Sequence, residues 1–411
     1  MNAHAAPALT PIAPDARIDR LDVVRGVALL GILLMNLEAF VGPVASAANG
    51  LDPSLTGLDR WVDGLVYFFV QGKFYTLFSL LFGMGFAVMS QRAEAAGRSF
   101  GPLYARRALV LLGIGLAHAL LVWSGDILVT YALVALLLPA FREVDGKGLV
   151  VLGVLAYLAA SGWVLAFGGL DALMRHSPSA AQAEHAAAWV QAQTQAFGHG
   201  SYAQAVAQRW RDLMTTLGAL VIIGPLVFGM FLLGKWFVDS GAIVQPSAHA
   251  RLFARLRWVA LPAGLLIMLG SFLLDSDLDA ARIDPRAALA FALATWANLL
   301  MCLGYLAWLV RALESPGWAP GLSALAPAGR MALTNYLMQS LICTWLFYGY
   351  GLGGFGQLPR AWQVPFGVAL FAGQVLASRW WLQRFRFGPA EWLWRSLTYL
   401  KWQPMRRAAS A

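Results

Sequence analysis

Long apolar runs separated by short polar ones account for most of this chain. Ten runs reach or approach the roughly 20 apolar residues a helix needs to cross a bilayer. They cover residues 21–42, 62–90, 104–123, 126–141, 148–169, 214–237, 254–274, 287–311, 325–350 and 363–385. The pattern predicts an all-α membrane protein, a polytopic bundle of ten transmembrane helices. Loop charge sets the orientation, because Lys and Arg are held back on the cytoplasmic side. Arg17 and Arg20 precede the first run; Arg92, Arg98, Arg106 and Arg107 follow the second; Lys235, Arg251, Arg255 and Arg257 follow the sixth. The loops between carry Asp52, Asp59, Arg60 and Asp63, and later Asp275, Asp277, Asp279 and Asp284. The alternation places both termini in the cytoplasm of a bacterial inner membrane.

Five regions follow. Residues 1–16 are an Ala/Pro-rich flexible tail, without the basic start and apolar core of a signal peptide. Residues 17–169 form a front five-helix half, 170–213 a polar periplasmic segment and 214–387 a back five-helix half. Residues 388–411 form an interfacial helix and basic tail, rich in Trp and flanked by cations. The polar segment reads as one or two amphipathic helices. Its His176, His185 and His199 lack the rhythm of a metal site. The halves show no repeat, which disfavours a transporter built from repeats.

Composition agrees with the pattern. The 411 residues are 59% hydrophobic and 12% charged, against about 25% charged in soluble domains. The net charge of +9 is explained by cytoplasmic loops, and no nucleic-acid-binding pattern is present. Cys302 and Cys343 stand far apart in apolar runs, so neither a disulfide framework nor a metal set is predicted. No bound cofactor is expected.

The candidate chemistry lies in the few polar residues inside the apolar runs, where ionisable groups are costly. On the first helix Asp22, Arg25 and Asn36 fall within roughly 60° on the wheel, with Glu38 on the opposite side. On the third, Arg107 and His118 differ by about 20° and stand about 16 Å apart. Both helices thus carry a cation low and a polar group high on one face, as two walls of a passage from the cytoplasm would. The neutral imidazole of His118 is suited to take a proton from a hydroxyl. Asp126 opens the next run across a tight turn, placed to orient His118 or to cap its own helix. Lys73 lies near mid-depth after Gly72, a predicted break, and calls for a carboxylate partner or water. In the ninth run Asn335, Tyr336, Gln339 and Cys343 share a face of about 100°, suited to inter-helix hydrogen bonds or to substrate. Glu391 and Arg395 are spaced as a helix ion pair.

These stretches together resemble the YeiB-like family of bacterial inner-membrane proteins. The likeness runs through Arg20-x-Asp22-x-x-Arg25-Gly26 with Asn36, Lys73-Phe74 before Leu77-Phe78-Ser79, and Leu81-Phe82-Gly83. It continues in His118 with Gly125-Asp126-Ile127-Leu128 and Tyr131, then Gly329-Arg330-x-x-Leu333-Thr334-Asn335-Tyr336 with Gln339-Ser340, and Gly388-Pro389-x-Glu391-Trp392. The opening Asp-x-x-Arg-Gly helix is similar to that of transmembrane acyltransferases of the heparan-glucosaminide type. Those enzymes pass an acyl group from cytoplasmic acyl-CoA to an acceptor outside. That likeness implies a catalytic His118 oriented by Asp126, with acyl-CoA as co-substrate. Arg25, Arg107 and Arg330 would hold donor phosphates, and Asn36, Lys73, Tyr131, Asn335, Tyr336 and Gln339 would line the substrate path. Expected partners are membrane lipids and a small-molecule or lipid hydroxyl acceptor. Two other readings stand beside it: a transporter using Lys73, His118 and Asp126 as a proton relay, and a non-catalytic assembly or sensor protein.

Overall fold

The computed structural model describes residues 19–47, 50–97, 99–174, 180–276 and 284–407. The tail of residues 1–16, Arg17, Arg98, His176, Asp277 and Asp279 lie outside them. The regular elements of the described residues are all helices, and an isolated bridge joins Phe385 to Arg406. In chain order the main helices are α1 (Asp19–Val41), α2 (Gly57–Phe69), α3 (Lys73–Ala95), α4 (Gly101–Leu121) and α5 (Leu128–Ala135). Then come α6 (Gly146–Met174), α7 (Ala180–Gln193), α8 (Tyr202–Gly218), α9 (Leu220–Asp239) and α10 (Leu261–Leu274). The last are α11 (Pro285–Leu313), α12 (Ala332–Phe347), α13 (Arg360–Arg384) and α14 (Pro389–Tyr399).

Among the described residues eight helices, counting α2 with α3 as one bent span, are long and apolar enough to cross a membrane. Two of the ten expected runs fall short. In 126–141, α5 stops after eight residues and a 3-10 turn, Leu138–Phe141, with Pro139 at its start, replaces it. In 325–350, a short helix Ala326–Arg330 breaks at Met331, and α12 begins afresh with 16 residues. The polar segment forms α7 and α8 joined by a π-helical turn, Thr194–His199.

The expected break in the second run is present. Gly72 takes φ +83, a left-handed conformation open to glycine, and separates α2 from α3. Breaks at membrane depth need their freed carbonyls satisfied from within the protein. Lys73 Nζ donates to the Tyr67 carbonyl at 3.0 Å, and Tyr305 Oη donates to the Phe69 carbonyl at 3.0 Å. Lys73 is fully buried, and among the described residues no carboxylate pairs with it. Where the sequence called for a carboxylate or water, the cation meets a helix C-terminus, whose carbonyls and dipole favour it.

Helix α1 lies centrally, packed against α3, α12, α13 and the short helix Ala326–Arg330. Its contact with that short helix is made backbone to backbone. A Cβ on Gly329 would fall on the Asp22 carbonyl oxygen, and one on Gly26 would meet the Leu325 carbonyl. Small residues permit such approach between membrane helices. Here they bring Arg330 alongside Arg25. Gly329→Ala is therefore expected to force these elements apart, giving a loss of monodisperse protein in size-exclusion chromatography after detergent extraction. Gly113→Ala, at a site with nothing within 4 Å of the added carbon, should behave as wild type.

Candidate functional site

A cavity of about 460 Å³ opens among α1, α3, α4, α5, α12 and α14. Its two ends differ in chemistry. At one end stand Arg25, Arg92, Arg107, Arg330, Arg386 and Arg395, with only Asp22 and Glu391 as carboxylates. At the other are Ile32, Phe78, Phe82, Leu111, Tyr131 and Tyr336. The arginines come from the start of α1, the end of α3, the start of α4 and the residues flanking α12 and α14. All these helix ends lie on one side of the bundle.

The cationic end is short of counter-charge. Arg25 pairs with Asp22 at 2.6 Å, but none of the other five has a carboxylate within ion-pair distance among the described residues. The Arg107 guanidinium carbon lies over the Trp394 ring, 3.6 Å from its centre, and Trp394 Nε1 donates to the Arg107 carbonyl at 2.9 Å. Arg330 Nε is buried without a hydrogen-bond partner. Burial, and then the charge of Arg107, pull the Arg395 guanidinium down to about 10. It stays charged at neutral pH, yet crowded by cations. Such a cluster favours an anion with several oxygens, because guanidinium forks match carboxylate and phosphate.

Helix α14 forms part of this end, docked by Glu391 rather than by the expected pair with Arg395. The Glu391 carboxylate accepts from the N–H groups of Leu333 and Thr334, at 2.7 and 3.1 Å, and from the Thr334 hydroxyl at 2.6 Å. It thereby caps the N-terminus of α12 from another helix, satisfying donors that a helix start leaves open.

Beyond the apolar end stands the His118–Asp126 pair. His118 Nδ1 lies 2.7 Å from Asp126 Oδ2, both side chains being almost wholly buried. Asp126 Oδ1 accepts from the Val129 N–H at 2.8 Å, so this carboxylate both orients the imidazole and caps α5. A carboxylate beside Nδ1 places the ring proton there and leaves Nε2 as the acceptor. That Nε2 is buried without a hydrogen-bond partner. His118 does not itself line the cavity. Its ring lies 5.3 Å from that of Tyr336, which does.

Of the sequence candidates, Arg25, Arg107, Arg330, Tyr131 and Tyr336 meet around this cavity, with His118 and Asp126 behind it. Tyr131 presents its ring, while its hydroxyl is held by Ser79 and the Tyr75 carbonyl. Four candidates lie elsewhere. Asn36 stands beyond Ile32, past the cavity wall. Lys73 caps the α2 break. Asn335 donates to Ser378 Oγ and the Ala328 carbonyl. Gln339 donates to Gln374, which donates to the Asn335 carbonyl, so both tie α12 to α13. Arg92, Arg386, Arg395 and Trp394 were not singled out as site residues. In the sequence Arg395 reads as the helix partner of Glu391, and the others give only the signal of loop cations and an interfacial aromatic.

Fold and cavity together define the class: a helical protein with eight candidate membrane-spanning helices among the described residues, the architecture of a multi-pass membrane protein. The chain belongs to the family of YeiB-like proteins of unknown function. The family described as "Protein of unknown function (DUF418)" matches residues 237–401. The chain is 36% identical to "Uncharacterized protein YxaH" of Bacillus subtilis (strain 168), over 97% of this chain and 98% of that one. It is 35% identical to "Uncharacterized protein YeiB" of Escherichia coli (strain K12), over 92% and 95%. A protein of Bacillus acidopullulyticus, "Uncharacterized 39.9 kDa protein in amylase 3'region", is 27% identical over 95% and 96%. No solved structure matches.

Burial raises the Glu391 carboxyl above its usual range, so the folded state favours its protonated form. A raised folded pKa contributes stability present below the ordinary value, 4.5, and lost as pH rises through the folded value. Thermal unfolding from pH 4 to 8 should therefore show wild type falling relative to Glu391→Gln as pH rises. A constant difference between the two would contradict this.

Proposed function

We propose that this protein is a membrane-bound acyltransferase of the bacterial inner membrane. It takes an acyl group from a cytoplasmic phosphate-bearing thioester, an acyl-CoA, and gives it to a hydroxyl acceptor presented from the periplasmic side. In this reading the shorter helices α5 and α12 complete a ten-segment bundle with both termini in the cytoplasm. The observation that carries the reading is the polarity of the cavity: unpaired arginines at one end, aromatic and aliphatic walls at the other, and an oriented histidine behind the last ring.

The roles follow from the geometry. Arg107, Arg330 and Arg395 hold the donor's phosphates, and the walls of Phe78, Phe82 and Tyr131 receive the apolar acyl arm. His118 Nε2 takes the acceptor's hydroxyl proton as its oxygen attacks the thioester carbonyl. The imidazolium, stabilised by Asp126, returns that proton to the departing thiolate as the C–S bond breaks. Atoms and charge balance, with an ester and a thiol as products. No resident metal or cofactor is required. The proton-relay transporter is weakened as a competitor, since Lys73 belongs to a different cluster from His118 and Asp126.

Protein reconstituted in nanodiscs with labelled acyl-CoA and periplasmic-type hydroxyl acceptors tests this. His118→Ala and Asp126→Asn should each lower transfer by about 100-fold or more. Arg107→Ala should raise the donor KM with a smaller change in kcat. Undiminished transfer by His118→Ala, or none by wild type, overturns the reading.

A further inference from the structure

A second cavity, of about 190 Å³, lies on the same side of the bundle as the arginine cluster. It shares no lining residue with the first. The side is fixed by Arg20 at the start of α1, whose Nη1 donates to the Val244 carbonyl at 3.4 Å. Two residues on, the 3-10 turn Pro246–His249 begins one wall. The short helix Ala250–Arg255 and the π-helical turn Leu256–Ala260 continue it, and the end of α11 stands opposite. Buried Phe253 and Val310 give the cavity apolar lining. Ser247, Arg257, Arg311 and Glu314 give it polar groups. Farther along, α10 and α11 meet closely: a Cβ on Gly304 would strike Leu261, and one on Gly264 would strike Met301. The cavity lies past that contact, where the wall turns π-helical, and such turns recur at functional sites.

Aromatic side chains mark its level in the membrane. Trp258 and Trp308 are exposed and pack edge to face, with ring centres 5.3 Å apart. The Arg257 guanidinium lies 5.8 Å from the Trp308 ring centre. Tryptophan is enriched where headgroups meet acyl chains. Beyond Trp258, α10 exposes Leu266 and Leu273, an apolar face that in a spanning helix meets lipid tails. Charge at this level is one-sided. Arg251 and Arg255 stand on the short helix beside Arg257, so with Arg311 four guanidiniums accompany one lining carboxylate, Glu314. Among the described residues none of the four has a carboxylate within ion-pair distance. The space far exceeds the roughly 10–15 Å³ that admits one water.

We infer that this cavity seats the headgroup of an anionic glycerophospholipid, a singly charged phosphodiester, from the leaflet on the cationic side. Arg257 and Arg311 donate to the phosphate oxygens, which their guanidinium forks match. The acyl chains run along Trp258 and the exposed face of α10. Basic pockets between helices at such a membrane surface suit anionic headgroups. Glu314 sets the selectivity. A phosphomonoester, with its second negative charge, is opposed by that carboxylate. A zwitterionic headgroup satisfies Glu314 but sets its ammonium among four guanidiniums. The singly charged diester avoids both conflicts. The site is independent of the acyl-transfer reading, whose cavity it does not share.

Full-length protein in neutral detergent is titrated with phosphatidylglycerol, phosphatidate, phosphatidylethanolamine or phosphatidylcholine, and bound lipid is counted by native mass spectrometry. One saturable phosphatidylglycerol per chain is expected, bound at least about tenfold more tightly than the other three. Arg257→Gln combined with Arg311→Gln should weaken it by about tenfold or more, with unchanged thermal stability in lipid-free detergent. Each single substitution should give a smaller loss. Arg384→Gln, which removes another cation lying over a tryptophan, should leave it unchanged, and Arg107→Ala, in the larger cavity, should retain it. Glu314→Gln should raise phosphatidate toward phosphatidylglycerol. Equal retention of the zwitterionic lipids, full binding by the double variant, or an equal loss in Arg384→Gln or Arg107→Ala overturns the site. Displacement of the lipid by soluble glycerol 3-phosphate at matched concentration identifies a free-anion site and overturns the lipid assignment.

Discussion

Everything else in the structure depends on the close approach of α1 to the short helix Ala326–Arg330. Gly26 and Gly329 present no side chain, so backbone meets backbone. That contact joins the beginning of the chain to its back half and fixes where α12 starts. It also sets Arg330 beside Arg25, across the cavity from Arg107. In a membrane interior, packing of this kind replaces much of the driving force that water exclusion supplies to soluble cores. A wider separation here would move Arg25 and Arg330 apart, while Arg107 and Arg395 stay joined through the docking of Trp394 on Arg107.

Most of the architecture was legible from hydrophobic periodicity, because a helix in lipid has only one way to satisfy its backbone. The pattern fails where a run is interrupted internally. Pro139 and the Met331 break divide apolar stretches whose composition alone reads as continuous. Gly72 was readable as a break because glycine followed by lysine has no place in an uninterrupted apolar helix.

The site was legible in part for a different reason. Arg25, Arg107 and His118 stood out because charge inside an apolar run is costly and therefore informative. Asp126 was readable as either a cap or an orienting group, and its two oxygens perform both tasks. By contrast, Arg395 and Arg386 sit in a cationic tail where such residues are expected on orientation grounds, so their convergence carried no signal. Arg257 and Arg311 were hidden in the same way, since each stands where an apolar run meets a loop. Asn335 and Gln339 were ambiguous by nature, since amides that join helices and amides that touch substrate look alike in sequence.

The docking of α14 bears on how the molecule comes into being. Residues 386–399 are the last of the cavity lining in chain order. Until Glu391 caps α12 and Trp394 slides beneath Arg107, the chamber has no complete base. The charged end of the chamber is thus completed by the part of its lining that comes last in the chain.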